Sequence, residues 1–188
     1  KAVWHRGAID ADGKTGDGAG IHIEIPKDFF EEKIEITGHN HDSSELCVGM
    51  IFLPRNDYEA QEHCRTIVES ELTKRNFNIY GWRQVPVDPS VLGEKAEQTR
   101  PEITQVLFTY NDKKIVNKPL EQKLYETRRV IEKEALKNQL KNFYICSFSS
   151  KSIIYKGMFL AESLADFYTD LKDKRFISRY AIFHQRFS

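Results

Sequence analysis

No apolar run in this sequence approaches the length of a membrane span, and no signal peptide is visible. Charge of neither sign prevails. Lys and Arg total 28 and Asp and Glu total 28, so the formal net charge is zero. A chain without a basic surplus carries no footprint for nucleic acid or an anionic membrane. Cysteine is scarce. Cys47, Cys64 and Cys146 are odd in number and form no Cys-x-x-Cys pair, which reads as a protein of a reducing compartment. Internal repeats, low-complexity tracts and an interdomain linker are also missing. What is abundant is aromatic residues: 12 Phe, 8 Tyr and 2 Trp among 188 residues favour a packed globule over disorder. The first residue is Lys1 and the last lies on an apparent strand, which is the look of a piece of a longer polypeptide.

The periodicities give a mixed order of elements. Residues 1–7 read as a helix end closed by Gly7, and 8–19 as a loop rich in Gly and Asp. Gly20 to Ile25 alternates apolar and polar residues like a half-buried strand, and Pro26 ends it. Lys27 to Lys33 reads as a short helix, 37–45 as a polar loop, and Leu46 to Leu53 as a buried strand. Asp57 is placed to cap a helix whose stripe is Ala60, Cys64, Ile67, Val68 and Leu72. Asn78 to Val87 and Ile103 to Tyr110 read as strands, with a polar loop between them closed by Pro101. Residues 118–141 form the longest expected helix, with Leu120, Leu124, Ile131, Ala135 and Leu136 toward the core. Phe143 to Phe148 and Ser152 to Tyr155 read as strands joined in a hairpin through Ser149-Ser150-Lys151. A helix at 160–168 and a strand at 176–187 follow. Paired strands with helices between the groups favour α+β layers over an alternating parallel sheet.

Several residues could carry chemistry. Thr15 to Gly20 is Gly-rich, but it precedes a strand and lacks a following Lys-Ser/Thr, unlike a phosphate loop. It reads either as a tight turn or as backbone approaching a reacting centre. His39, His41, Asp42 and Cys47 make one loose cluster, better read as a solvated loop than as a metal site. The three cysteines read as small buried hydrophobes, and a Cys146–His184 pair has no visible activating group. Arg186 follows an apolar strand, where an arginine can clamp a carboxylate or simply meet solvent.

A set of motifs in order resolves these readings. They are His5-Arg6-Gly7-Ala8, Thr15-Gly16-Asp17-Gly18-Ala19-Gly20-Ile21 and Val48-Gly49-Met50-Ile51-Phe52-Leu53-Pro54. Gly81-Trp82-Arg83-Gln84-Val85-Pro86-Val87-Asp88 follows, with Leu92-Gly93, Tyr144-Ile145-Cys146-Ser147, Ile154-Tyr155-Lys156-Gly157-Met158 and His184-Gln185-Arg186-Phe187-Ser188. Over nearly its whole length the chain resembles the N-terminal glutaminase domain of glutamate synthase large subunits. That domain is a class II (type 2) glutamine amidotransferase within the N-terminal-nucleophile hydrolases. The resemblance implies an α+β fold, the four-layer αββα sandwich, here incomplete, with residues 1–188 forming part of a single domain.

It also implies an enzyme that hydrolyses L-glutamine to glutamate and ammonia. In the family an N-terminal cysteine attacks the side-chain amide, its own α-amine serves as base, and an Asn-Gly pair forms the oxyanion hole. Arg186, with Phe187 and Ser188 beside it, is implied to bind the substrate, and Arg6, Gly7 and Asp17 to form the wall of the site. Asp17 is displaced from the family's spacing by an inserted loop at 8–16, and Gln185 stands where a smaller residue is expected. No catalytic residue is expected within 1–188, because the nucleophile belongs before Lys1 and the Asn-Gly pair after Ser188. The piece alone is therefore expected to be inactive. In the longer enzyme the ammonia would aminate 2-oxoglutarate in glutamate biosynthesis, an ammonia-assimilating oxidoreductase reaction using FMN and an iron–sulfur cluster. The implied partners are the synthase domains of the same polypeptide and a small reductase subunit or ferredoxin. The implied location is the cytoplasm, or the plastid stroma if a targeting segment has been removed. The alternative is a non-catalytic glutamine-sensing or partner-binding module on the same scaffold.

Overall fold

The computed structural model describes residues 9–40 and 45–185. The described chain divides into two compact units. One contains Ile25–Gln84 and Pro101–Ile153; the other contains the described residues of Lys1–Glu24, Val85–Arg100 and Ile154–Ser188. No described helix is long and apolar enough to cross a membrane.

The first unit is built on a four-stranded sheet. Its strands are β2 (Leu46–Leu53), β3 (Phe77–Gln84), β4 (Glu102–Tyr110) and β5 (Tyr144–Ser149), in the order β3-β4-β2-β5. Every neighbouring pair is antiparallel. The bounds of β2 coincide with the apolar run, which has no polar alternation because nearly all of it is buried. Gly49 sits in the middle of β2 for a steric reason. A Cβ there would meet Val106 Cγ1 and Phe148 Cδ2, both at 2.8 Å, from the strands on either side.

Three helices belong to this unit: α1 (Lys27–Ile36), α2 (Tyr58–Lys74) and α4 (Asn117–Lys137). The Asp57 side chain accepts a hydrogen bond from the Ala60 N–H at 2.9 Å, the N-cap expected from its position. Cys64, Val68 and Leu72 of α2 pack with Leu120, Leu124 and Ile131 of α4 over Ile51, Val106 and Phe108. Burying each such side chain contributes about 1.5–3 kcal/mol. Helix α1 continues past Lys33 to Ile36, burying Phe29, Phe30 and Ile34.

The long helix departs from its expected range and stripe. It stops at Lys137, and Gln139 then adopts a left-handed φ of 56° that no helix continues through. The buried stripe is Leu120, Leu124, Thr127, Ile131 and Ala135. Leu136 is one position, about 100°, around the helix from Ala135. It is 78% exposed rather than part of the core.

The Ser149-Ser150-Lys151 turn does not make a hairpin. Strand β5 lies in the four-stranded sheet, whereas β6 (Ser152–Gly157) joins another. The cause is Glu121 of α4, whose carboxylate accepts from Ser149 Oγ (2.9 Å), the Ser150 N–H (2.8 Å) and Ser150 Oγ (2.8 Å). Ser149 Oγ in turn accepts from the Lys151 N–H at 2.9 Å. Side chains thus satisfy the turn's polar groups, and no cross-strand bonds are needed.

The second unit holds a three-stranded sheet in the order β6-β1-β7, with β1 at Ala19–Glu24 and β7 at Ala181–His184. Tyr155, Phe159, Phe167 and Tyr168 form its aromatic core, with ring centroids 4.7–6.1 Å apart. The stretch read as a polar loop before Pro101 holds a 3-10 turn at Pro89–Val91 and a short helix α3 (Glu94–Gln98). Strand β3 ends at Gln84, short of Val87, because Pro86 lacks an N–H for the ladder. Val87 instead bridges to Tyr168. The expected helix at 160–168 is a 3-10 turn at Ala161–Ser163 followed by α5 (Leu164–Phe167). The final strand begins at Ala181 rather than 176, since Ser178 Oγ turns the chain by accepting from the Glu24 N–H (3.0 Å) and donating to Tyr180 O (2.6 Å), and the expected end at 187 lies outside the described residues. Two antiparallel sheets with five described α-helices place the chain in the α+β class expected.

The exposure of Leu136 gives a direct test. Ile131→Ala is expected to destabilise the protein by about 2–4 kcal/mol, and Leu136→Ala by no more than about 0.5 kcal/mol. Chemical denaturation of the two variants checks this; equal losses would contradict the assigned helix face.

Candidate active-site wall at the glycine-rich turn

Of the site residues read from the sequence, Arg6, Gly7, Arg186, Phe187 and Ser188 lie outside the described residues, as do His41 and Asp42. Asp17 is described. It is half-buried in the turn that leads into β1, between Gly16 and Gly18. Gly18 has φ of 114°, a conformation L side chains rarely adopt. Gly16 is pressed against Phe159, with 2.9 Å between its notional Cβ and the Phe159 carbonyl oxygen. The tight-turn reading is met, and the close approach of the Gly16 backbone is to Phe159 and Leu160.

The turn is anchored by groups that the sequence reading did not single out. Asp12 Oδ1 accepts from the N–H groups of Thr15 (2.7 Å) and Lys14 (3.0 Å), and Thr15 Oγ1 donates to Asp12 Oδ2. The Thr15 hydroxyl, then the two N–H groups, hold the Asp12 carboxyl down at about 2. Lys95 of α3 pairs with Asp10 at 2.7 Å. Gly93 lies against this knot; a Cβ there would strike the Asp12 carboxylate and the Thr15 hydroxyl. The loop at 9–15 is thereby fastened to the start of α3, which accounts physically for Leu92-Gly93 among the motifs. The Asp12-Gly13 dipeptide, with Thr15 following, was the available sequence signal for such a turn.

Strand β1 then sets where β7 ends. The two pair antiparallel, Gly20 with His184 and Ile23 with Ala181. A Cβ on Gly20 would meet the His184 ring on one side and, on the other, Lys156 Cβ at 2.7 Å and Tyr155 O at 2.9 Å. Only glycine fits. Burial and then the Lys156 charge lower the His184 pKa, favouring its neutral form. The end of β7 is consequently held opposite Gly20, three residues along the chain from Asp17.

The thiols are poorly suited to attack. Burial, followed by the charges of Glu121 and Glu45, pushes the Cys47 thiol well up. Burial raises Cys64 to about 11. Cys146 is buried within β5, at the shift of register opposite Met50 and Ile51. Among the described residues no three His, Cys, Asp or Glu side chains group as metal ligands would. The three cysteines stand on separate elements and offer no set of the kind an iron–sulfur cluster requires.

Comparison with known proteins adds the following. The family model described as "Glutamine amidotransferases class-II" matches residues 1–188. The large chain of an NADPH glutamate synthase from Azospirillum brasilense is 55% identical over 188 residues, covering 100% of this chain and 12% of that protein. Ferredoxin-dependent glutamate synthase 2 of Synechocystis is 37% identical over 185 residues, 98% of this chain and 12% of its own. The chloroplastic ferredoxin-dependent glutamate synthase of Spinacia oleracea is 38% identical over 186 residues, 98% and 11% respectively. The chain thus spans about one-eighth of the length of these relatives.

Two outcomes follow from the site. Asp12 should titrate near about 2 by carbon-detected NMR, against about 3.9 when unfolded. Its contribution to the loop is then complete above the unfolded value and fades as pH falls from there through the folded one. Titration near the ordinary value would refute the knot. Cys47 and Cys64 should resist iodoacetamide near neutral pH until the protein is unfolded; rapid labelling of the native protein would contradict their placement.

Proposed function

The chain belongs to the class II glutamine amidotransferases, and from that premise we propose that residues 1–188 are part of one glutaminase domain serving a glutamate synthase. The observation that supports this most is the Gly20–His184 pairing, which holds the end of β7 opposite a residue three along the chain from Asp17. Arg186 stands two positions beyond His184. Chain connectivity alone keeps its Cα within about 7.6 Å of that of His184. The strand pair thus supports a reading in which the wall segment at Asp17 and the substrate-binding segment that follows His184 serve one site.

In this reading Arg186 clamps the α-carboxylate of L-glutamine with its guanidinium fork, with Phe187 and Ser188 beside it. Arg6, Gly7 and Asp17 form the wall of the site. The nucleophile is an N-terminal cysteine outside these residues, since the described thiols are buried and two are held protonated. Its thiolate adds to the side-chain amide carbon, and an Asn-Gly pair, also outside, stabilises the oxyanion. The C–N bond breaks as the amine takes a proton and leaves as ammonia. Water then cleaves the thioester, releasing glutamate and restoring the thiol. Residues 1–188 alone are inactive for want of the nucleophile and the oxyanion hole.

The wider role is glutamate formation from 2-oxoglutarate, with FMN and an iron–sulfur cluster supplying electron transfer in other domains of the same polypeptide. A small reductase subunit or ferredoxin is the electron donor. The location follows the compartment of the parent enzyme, cytoplasm or plastid stroma.

The test is glutamate release from L-glutamine by a chain extended upstream to the cysteine and downstream past the Asn-Gly pair. Arg186→Ala should lower kcat/KM about 100-fold, a loss of about 3 kcal/mol, chiefly through KM. A folded extended protein without activity would favour a non-catalytic glutamine-binding module instead.

A further inference from the structure

A groove of about 660 Å³ opens between the C-terminal half of α4 and the start of β5. Its floor is apolar, formed in part by Leu140 and Phe143. Its lip carries Leu136 and Tyr144, which are 78% and 43% exposed. A small molecule confined to the groove would leave both lip side chains in water, whereas a chain segment would cover lip and floor together.

The charges around it are unbalanced. Arg129 and Lys133 line the groove, and Lys141 follows directly on Leu140. The acid lining it, Glu132, is already taken by Arg128 at 2.8 Å and by Arg129. Lys133 and Lys141 have no ion pair among the described residues. This local cationic surplus stands out in a chain whose total charge is zero. Arg128 Nη2 also donates to the Ile145 carbonyl at 2.8 Å, which blocks that point of the β5 edge to an added strand.

We propose that this groove is a docking site for an acidic amphipathic helix of a partner segment. Its apolar face would seat on Leu136, Leu140, Phe143 and Tyr144, and its carboxylates would meet Lys133 and Lys141. The inference is independent of glutamine chemistry.

The test uses the 188-residue chain with a fluorescein-labelled helical peptide carrying Leu at i and i+4 and Glu on the flanking positions. A second peptide has every Glu replaced by Lys. Fluorescence anisotropy should give a Kd of about 10 µM for the acidic peptide and binding at least about tenfold weaker for the basic one. Leu136→Asp, and separately Lys133→Glu with Lys141→Glu, should each weaken the acidic peptide about tenfold or more. All three positions are exposed, and unchanged melting temperatures would establish that the variants fold. Absent binding, equal binding of both peptides, or indifference to the substitutions would overturn the proposal. So would self-association of the chain that Leu136→Asp abolishes, since a second copy would then be the occupant.

Discussion

Gly20 lies in the central strand of the three-stranded sheet, where a single methyl group would meet the His184 ring on one side and Lys156 Cβ and the Tyr155 carbonyl oxygen on the other. Both neighbouring strands approach as closely as they do because that methyl is missing. The approach fixes the register of β7 against β1, and the register fixes where the chain leaves His184. On the other side of Gly20 in sequence, Gly18 and Gly16 bend the chain so that Asp17 sits at the start of the same strand. One close-packed strand pair thus relates two sequence motifs separated by most of the chain. The rest of the unit holds that pair in place: the Asp12–Thr15 knot ties the turn to α3, and the aromatic core of Tyr155, Phe159, Phe167 and Tyr168 supports it.

Much of this was legible where one local signal dominated. Leu46 to Leu53 is a continuous apolar run, and the strand has those bounds. Asp57 caps its helix because a carboxylate at that position can reach the Ala60 N–H. The failures arose where a distant group decided the outcome. Ser149-Ser150-Lys151 has hairpin composition, but Glu121, far off in sequence, claims its polar groups. Leu136 fits a generous reading of the helical stripe, yet the stripe runs through Ala135. Helix α3 is too short to show a period. At the site, Asp17 was legible as a motif residue, whereas Asp12, Gly93 and Lys95 act through contacts that no spacing rule reveals. The remaining site residues, Arg6, Gly7, Arg186, Phe187 and Ser188, were named from resemblance and lie outside the described residues.

The cysteines sharpen the chemical reading. A thiol hydrolase needs a thiolate near neutral pH, and burial acts against that at Cys47 and Cys64. The chain instead offers a tight turn at Asp17 and a strand end at His184, which the proposed reading makes parts of the wall of the site. Membership of the class II glutamine amidotransferases supplies the context in which such a wall is used.

The central claim, part of the proposed function, is that the β1–β7 pair brings the wall residue Asp17 and the substrate-binding segment at Arg186 to one site. It is tested most directly by amide NMR of the extended, isotope-labelled protein during addition of the product L-glutamate. The account predicts shifts concentrated at Asp17, Gly18, His184 and Arg186. Shifts centred elsewhere, or none at saturating glutamate in a folded protein, would contradict it.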